Sequence, residues 1–151
     1  MKQQKTYYAK EFEIDKKWWI IDAKNQVLGR VATQIASIAK GKTKVSYTPS
    51  MDTGDYVIVI NADKVLVTGN KQEKKTYYSH SMYPGGLKSI VYKDLMKKKP
   101  VQVLYNAVRG MLPKNKIGRK MIKNVKFYAG DTHPHEAQMP KSIVLSQKKG
   151  G

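Results

Sequence analysis

Three groups of residues in this chain carry side chains suited to chemistry. Asp52, Asp55 and Asp63, with His80, supply carboxylates and an imidazole of the kind used in general acid–base or metal-assisted phosphodiester cleavage. Asp52 and Asp55 flank Thr53-Gly54 just ahead of an apolar run, where aspartate commonly caps nearby N–H groups, so the turn reading is preferred. His133-Pro134-His135-Glu136 sets two imidazoles at alternate positions beside a carboxylate, a fragment of a metal site. With proline between them and His80 the only other histidine, that ligand set is thin, and a polar loop able to touch a phosphate is expected instead. Ala36-Ser37-Ile38-Ala39-Lys40-Gly41-Lys42-Thr43 fits a relaxed phosphate-loop pattern. Backbone N–H groups converge on a phosphate when a strand precedes that loop and a helix follows it. Here helical periodicity precedes Gly41 and turn residues follow it, so a capped helix end with solvated lysines is expected. The absence of cysteine removes disulfides, thiolate nucleophiles and Cys-ligated zinc.

Charge is the stronger signal. The 151 residues include 29 Lys or Arg against 11 Asp or Glu, a formal net charge of +18. Residues 1–51 carry +6, residues 52–87 are neutral, and residues 88–151 carry +12. Self-repulsion on this scale implies a polyanionic partner: nucleic acid, an anionic lipid surface or an acidic protein. A lipid-bound helix wants Trp or Phe on its apolar face, but both tryptophans sit together in Trp18-Trp19. No apolar run approaches the ~20 residues of a membrane-spanning helix, and Met1-Lys2-Gln3-Gln4 lacks the apolar stretch of a secretory signal.

Lysines outnumber the three arginines, Arg30, Arg109 and Arg119. That bias favours tracking a phosphate backbone over reading base edges. The densest series is Arg109, Lys114, Lys116, Arg119, Lys120, Lys123 and Lys126, with no acid from residue 109 to 130. A solvated helix face usually interleaves Glu with Lys, so this series points to nucleic acid. Gly110, Pro113 and Gly118 interrupt it and are expected to let the backbone approach a partner closely.

The elements that must position these residues follow from periodicity. Trp18–Ala23 reads as a strand, and Leu28, Val31, Ile35 and Ile38 recur at helical spacing up to a cap at Gly41. Residues 46–54 form a turn-rich loop. Tyr56–Ile60, apolar throughout, fits a parallel strand covered on both faces. Val65–Gly69 and Thr76–Tyr78 read as short strands, with a loop at Tyr83-Pro84-Gly85-Gly86. The second half reads as helical: Leu87, Val91 and Leu95 share one face; Pro100 opens a helix lined by Leu104, Ala107, Val108, Met111 and Leu112; Ile117, Met121 and Ile122 mark a third. Val125–Tyr128 is a closing strand, and Gln147–Gly151 a frayed end. This order indicates one three-layer α/β/α domain with a mostly parallel sheet, taken as residues 16–140 between an extension (1–15) and a basic tail (141–151).

Val108-Arg109-Gly110-Met111-Leu112-Pro113-Lys114-Asn115-Lys116-Ile117-Gly118-Arg119, followed by Val125–Gly130, closely resembles the signature of the universal ribosomal protein L-thirteen family of the large subunit, bacterial or plastid type. The likeness runs from about Trp18 to Pro140. It takes in Val27–Ala32, Gly41–Lys44, Tyr47-Thr48-Pro49, Asp52–Asp55, Ile60–Lys64, Val67–Lys71, Tyr83–Gly86 and His133–Gln138. The resemblance implies a parallel sheet of four strands and a place on ribosomal RNA in the large subunit, with a part in early assembly and no catalysis, cofactor, metal, membrane or small-molecule substrate. It implies neighbours such as large-subunit proteins three, twenty and twenty-one, and a cytoplasmic or organellar ribosome. In that reading Lys42, Lys44, Arg109, Lys114, Lys116, Arg119, Lys120 and Lys123 neutralise phosphates. The competing reading is a small RNA-processing or RNA-modifying enzyme using Asp52, Asp55 and His80.

Overall fold

The computed structural model describes residues 7–143. Along the chain, β1 (Trp18–Asp22) is followed by α1 (Leu28–Lys40), β2 (Tyr56–Ile60) and the single turn α2 (Lys71–Lys74). A hairpin of β3 (Thr76–His80) and β4 (Leu87–Val91) comes next. Helices α3 (Tyr92–Lys98), α4 (Pro100–Met111) and α5 (Lys116–Lys123) then lead to β5 (Val125–Phe127) and β6 (Lys141–Ile143). The main sheet has the order β5-β2-β1-β6, with every pair parallel, as the sequence implied for the fold.

Strand order explains the layers. The steps β1 to β2 and β2 to β5 run in the same direction across the sheet. Right-handed crossovers therefore place α1 and the α3–α5 segment on one face. The step from β5 to β6 runs back past β2 and β1, so its connection must cross the opposite face. On the helical face, Ile21, Val57, Val59 and Val125 meet Val31 and Ile35 of α1, Leu104 and Val108 of α4, and Met121 of α5. Burying each such aliphatic side chain contributes roughly 1.5–3 kcal/mol relative to leaving it in water. On the opposite face Ile58 is fully buried without joining that cluster. There Trp18 stacks on Tyr56 with ring centroids 4.5 Å apart, and the His135 ring lies 5.4 Å from Trp18. The Tyr128 hydroxyl and His135 Nε2, 2.7 Å apart, anchor this third layer, which carries a 3-10 turn at Glu136–Gln138.

Local chemistry sets the ends of α1. Gly41 adopts φ 79°, a left-handed conformation that favours glycine. Its N–H donates to the Ile38 carbonyl while the Lys42 N–H donates to Ser37, the paired bonds of a Schellman stop. Helix therefore precedes this glycine, as periodicity required.

Other expectations change. Leu87–Val91 is a strand, not the start of a helix; it pairs antiparallel with β3, and helix begins only at Tyr92. Val65–Gly69 forms no strand beyond a single parallel bridge from Leu66 to Val27. Met111 lies exposed rather than on the packed side of α4. Lys141–Ile143, expected within a tail, forms an edge strand on β1. In the segment expected as an N-terminal extension, Ala9 is buried and its N–H donates to Thr48 Oγ1 at 3.3 Å. Met1–Gln4 and Gln147–Gly151 lie outside the described residues. No described helix is long and apolar enough to cross a membrane.

Candidate nucleic-acid interface

The cationic segment folds as a corner between two helices. Arg109 sits exposed in the last turn of α4, Lys114 in the connection, and Lys116, Arg119, Lys120 and Lys123 on the outer side of α5. The inner side of α5 buries Met121 and Ile122, with Ile117 half-buried beside them. Sequence spacing thus separates an apolar anchor from a row of charges on one short helix. Asn115 caps that helix, its Oδ1 accepting the Gly118 N–H at 2.8 Å.

Gly118 corrects one expectation. It is buried, and a Cβ there would overlap the carbonyl of Pro113, so its bareness serves the close approach of the connecting turn rather than of a partner. Gly110 is the opposite case: exposed, helical and with open space where a Cβ would go. The two glycines predict changes of opposite sign. Gly118→Ala should destabilise the domain by about 1–3 kcal/mol, as overpacking does. Gly110→Ala should stabilise it by about 0.5–1 kcal/mol through helix propensity alone. Urea unfolding of both variants checks this, and matching shifts would contradict the packing described.

Of the two cations after α1, Lys42 is exposed and Lys44 is committed. Lys44 Nζ pairs with Asp55 Oδ1 at 2.6 Å and donates to the Asp15 carbonyl at 2.5 Å. Lys44 therefore departs from the phosphate-binding expectation: its charge balances a buried carboxylate. Asp55 also accepts the Lys17 N–H and the Trp19 indole N–H, each at 2.9 Å. Asp52 accepts from Lys16 Nζ at 2.7 Å and Asn124 Nδ2 at 3.0 Å. Neither aspartate caps its own turn; Asp55 ties the loop to β1 through Trp19, whereas Asp52 ties it to Lys16 ahead of that strand and to Asn124 at the C-terminal end of α5.

These contacts leave the proposed catalytic set dispersed. His80 lies on the hairpin, its Nδ1 accepting the Met82 N–H at 2.9 Å. Asp63 lies exposed in a 3-10 turn. His133 Nδ1 accepts the His135 N–H at 3.2 Å, and His135 is held by Tyr128. Among the described residues no group of three or more His, Asp or Glu is arranged to hold a metal. A cavity of about 450 Å³ beside α1 is walled by Trp19, Ile38 and Ile143 with Thr33, Gln34, Ser37 and Thr43, and among the described residues no carboxylate, histidine or lysine faces it. At the foot of the hairpin, burial raises the Tyr77 phenol above its ordinary range, with Tyr92 adding to the effect, and burial raises Tyr92 likewise. Both are neutral phenols at physiological pH.

A family model described as ribosomal protein L13 matches residues 16–134. The chain is 56% identical over 139 residues to large ribosomal subunit protein uL13 of Maridesulfovibrio salexigens, covering 92% of this chain and 98% of that protein. It is 58% identical over 136 residues to the protein of the same name from Natranaerobius thermophilus, covering 90% and 95%. The corresponding protein of Geobacter sp. strain M21 is 55% identical over 141 residues, covering 93% and 99%. Extended over nearly the whole of both chains, this similarity places the protein in the ribosomal protein L13 family, of bacterial type.

Proposed function

We propose that this chain, a structural and non-catalytic constituent of the large ribosomal subunit, binds large-subunit ribosomal RNA through the α4–α5 corner and enters the subunit early in assembly. The family and the names of its relatives support the ribosomal role. The observation that supports the RNA contact is the row of exposed cations on α5, with no carboxylate from residue 109 to 130 to neutralise it. Arg109, Lys114, Lys116, Arg119, Lys120 and Lys123 are the contacts at this corner, and Lys42 supplies a further one after α1. Adjacent ribosomal proteins complete the setting, and proteins three, twenty and twenty-one are the neighbours this reading favours.

Phosphate tracking has a measurable consequence, because each neutralised phosphate releases condensed counterions. If about six phosphates of duplex-like RNA are covered, log affinity should fall against log salt with a slope near −5, and less steeply for single strands. Filter binding of the full chain to ribosomal RNA fragments across a salt series reads this slope. A slope near zero would overturn the reading.

A further inference from the structure

The β3–β4 hairpin presents a surface unlike the cationic corner. Tyr78 pairs with Ser89, and His80 with Leu87, so these four residues share one face of the ribbon. Tyr77 and Ile90, paired on the other face, pack against the core. The outer face is open: Tyr78 is 70% exposed, and at the tip Tyr83 is 75% exposed beside a still barer Met82. The tip is nonetheless ordered by its own hydrogen bonds. Ser81 N–H donates to Gly86 O at 3.1 Å, Gly86 N–H to Tyr83 O at 2.9 Å, and Met82 N–H to the His80 ring.

Exposed aromatic rings of this kind suit either a protein or an unstacked base, and the surrounding charge decides between them. From Lys74 to Lys93 there is no carboxylate; Lys74 and Lys93 stand exposed just outside the two strands, and Lys88, also exposed, lies on the Tyr77 side of the ribbon opposite Ser79. Protein interface cores are depleted in lysine. Single-stranded nucleic acid is held by the combination found here, aromatic platforms among cations. We infer that the outer face and tip of the hairpin bind unpaired nucleotides of RNA, with Tyr78 and Tyr83 stacking on bases and Lys74 neutralising an adjoining phosphate. The inference rests on the RNA-binding reading and adds the form of RNA recognised. Base faces are accessible in loops, bulges and ends, not within a stacked helix.

The test uses the full chain with three probes: oligouridylate, oligoadenylate and the duplex they form together. Replacing Tyr78 and Tyr83 together by leucine should weaken single-strand binding about tenfold or more, as loss of base–aromatic stacking does, and leave duplex binding unchanged. Replacing both by phenylalanine should preserve single-strand binding, since the ring and not the hydroxyl makes the contact. Tyr83→Leu alone, in the connecting loop, repeats the measurement outside the strand ladder. Unchanged single-strand affinity in the leucine variants overturns the inference, as does equal loss in the phenylalanine variant. Normal RNA binding by the leucine variant, coupled with failure to enter subunits, would assign the face to a protein neighbour and also overturn it. Wild-type binding to neither form of RNA would instead remove the RNA-binding reading on which the inference stands.

Discussion

Asp55→Ala should destabilise the domain by about 3–5 kcal/mol, the range for removing one partner of a buried pair. Asp55 is 3% exposed, and its carboxylate serves three donors: the Lys17 N–H, the Trp19 indole N–H and the Lys44 ammonium. Alanine would leave the Lys17 and Trp19 N–H groups without that acceptor, each carrying a desolvation cost, and Lys44 with only the Asp15 carbonyl. Asp55→Asn should fall between alanine and wild type, because one amide oxygen remains while the charge opposite Lys44 is lost. Urea unfolding measures both. A loss below about 1 kcal/mol in the alanine variant would mean that water or another group replaces the carboxylate, and the structural role given to Lys44 would fall with it.

The second large effect separates folding from binding. Ile58→Ala should cost about 2–5 kcal/mol, through lost burial and the cavity left between β2 and the third layer. Arg119→Ala should leave the melting temperature nearly unchanged, since exposed side chains away from special features contribute within ~0.5 kcal/mol. It should nevertheless reduce incorporation into large subunits, because a planar guanidinium matched to phosphate oxygens is removed. Competition of each variant with wild type for incorporation, alongside thermal unfolding, tells the two apart. An Arg119→Ala protein that melts far lower, beside an Ile58→Ala protein that does not, would show that core and binding face have been exchanged.

Local periodicity carried most of the architecture. The alternation-free Tyr56–Ile60 run and the three-and-four spacing of α1 and α5 are set by which faces each element buries, and those faces are as expected. The hairpin misled because Leu87, Val91 and Leu95 are four apart, which fits a helix face equally well. The competing signal was the Pro84-Gly85-Gly86 turn after Thr76–Tyr78, which returns the chain as an antiparallel partner. β6 has three residues, too few for any period, and its place depends on β1 far away in the chain. The candidate site was legible as far as charge allows: the corner cations are exposed as expected, whereas Lys44 is claimed by Asp55. Neither the Lys44–Asp55 nor the Lys16–Asp52 pair leaves a mark in local sequence, because the first closes the loop between α1 and β2 on itself and the second joins that loop to the segment ahead of β1.

The position of β6 bears on how the molecule is made. β1 emerges near the start of synthesis, but its second edge is closed only by residues translated long afterwards, with Trp19 opposite Lys141 and Ile21 opposite Ile143. β1, α1 and β2 can assemble first, as domains growing from the N-terminus do. Until β6 arrives, the nascent sheet offers an unpaired strand edge, the feature most prone to pairing with another chain. The net charge of +15 carried by residues 1–140 opposes such encounters between copies. The same cationic character that suits the finished protein to a polyanion would thus keep unfinished chains apart while the last strand is awaited.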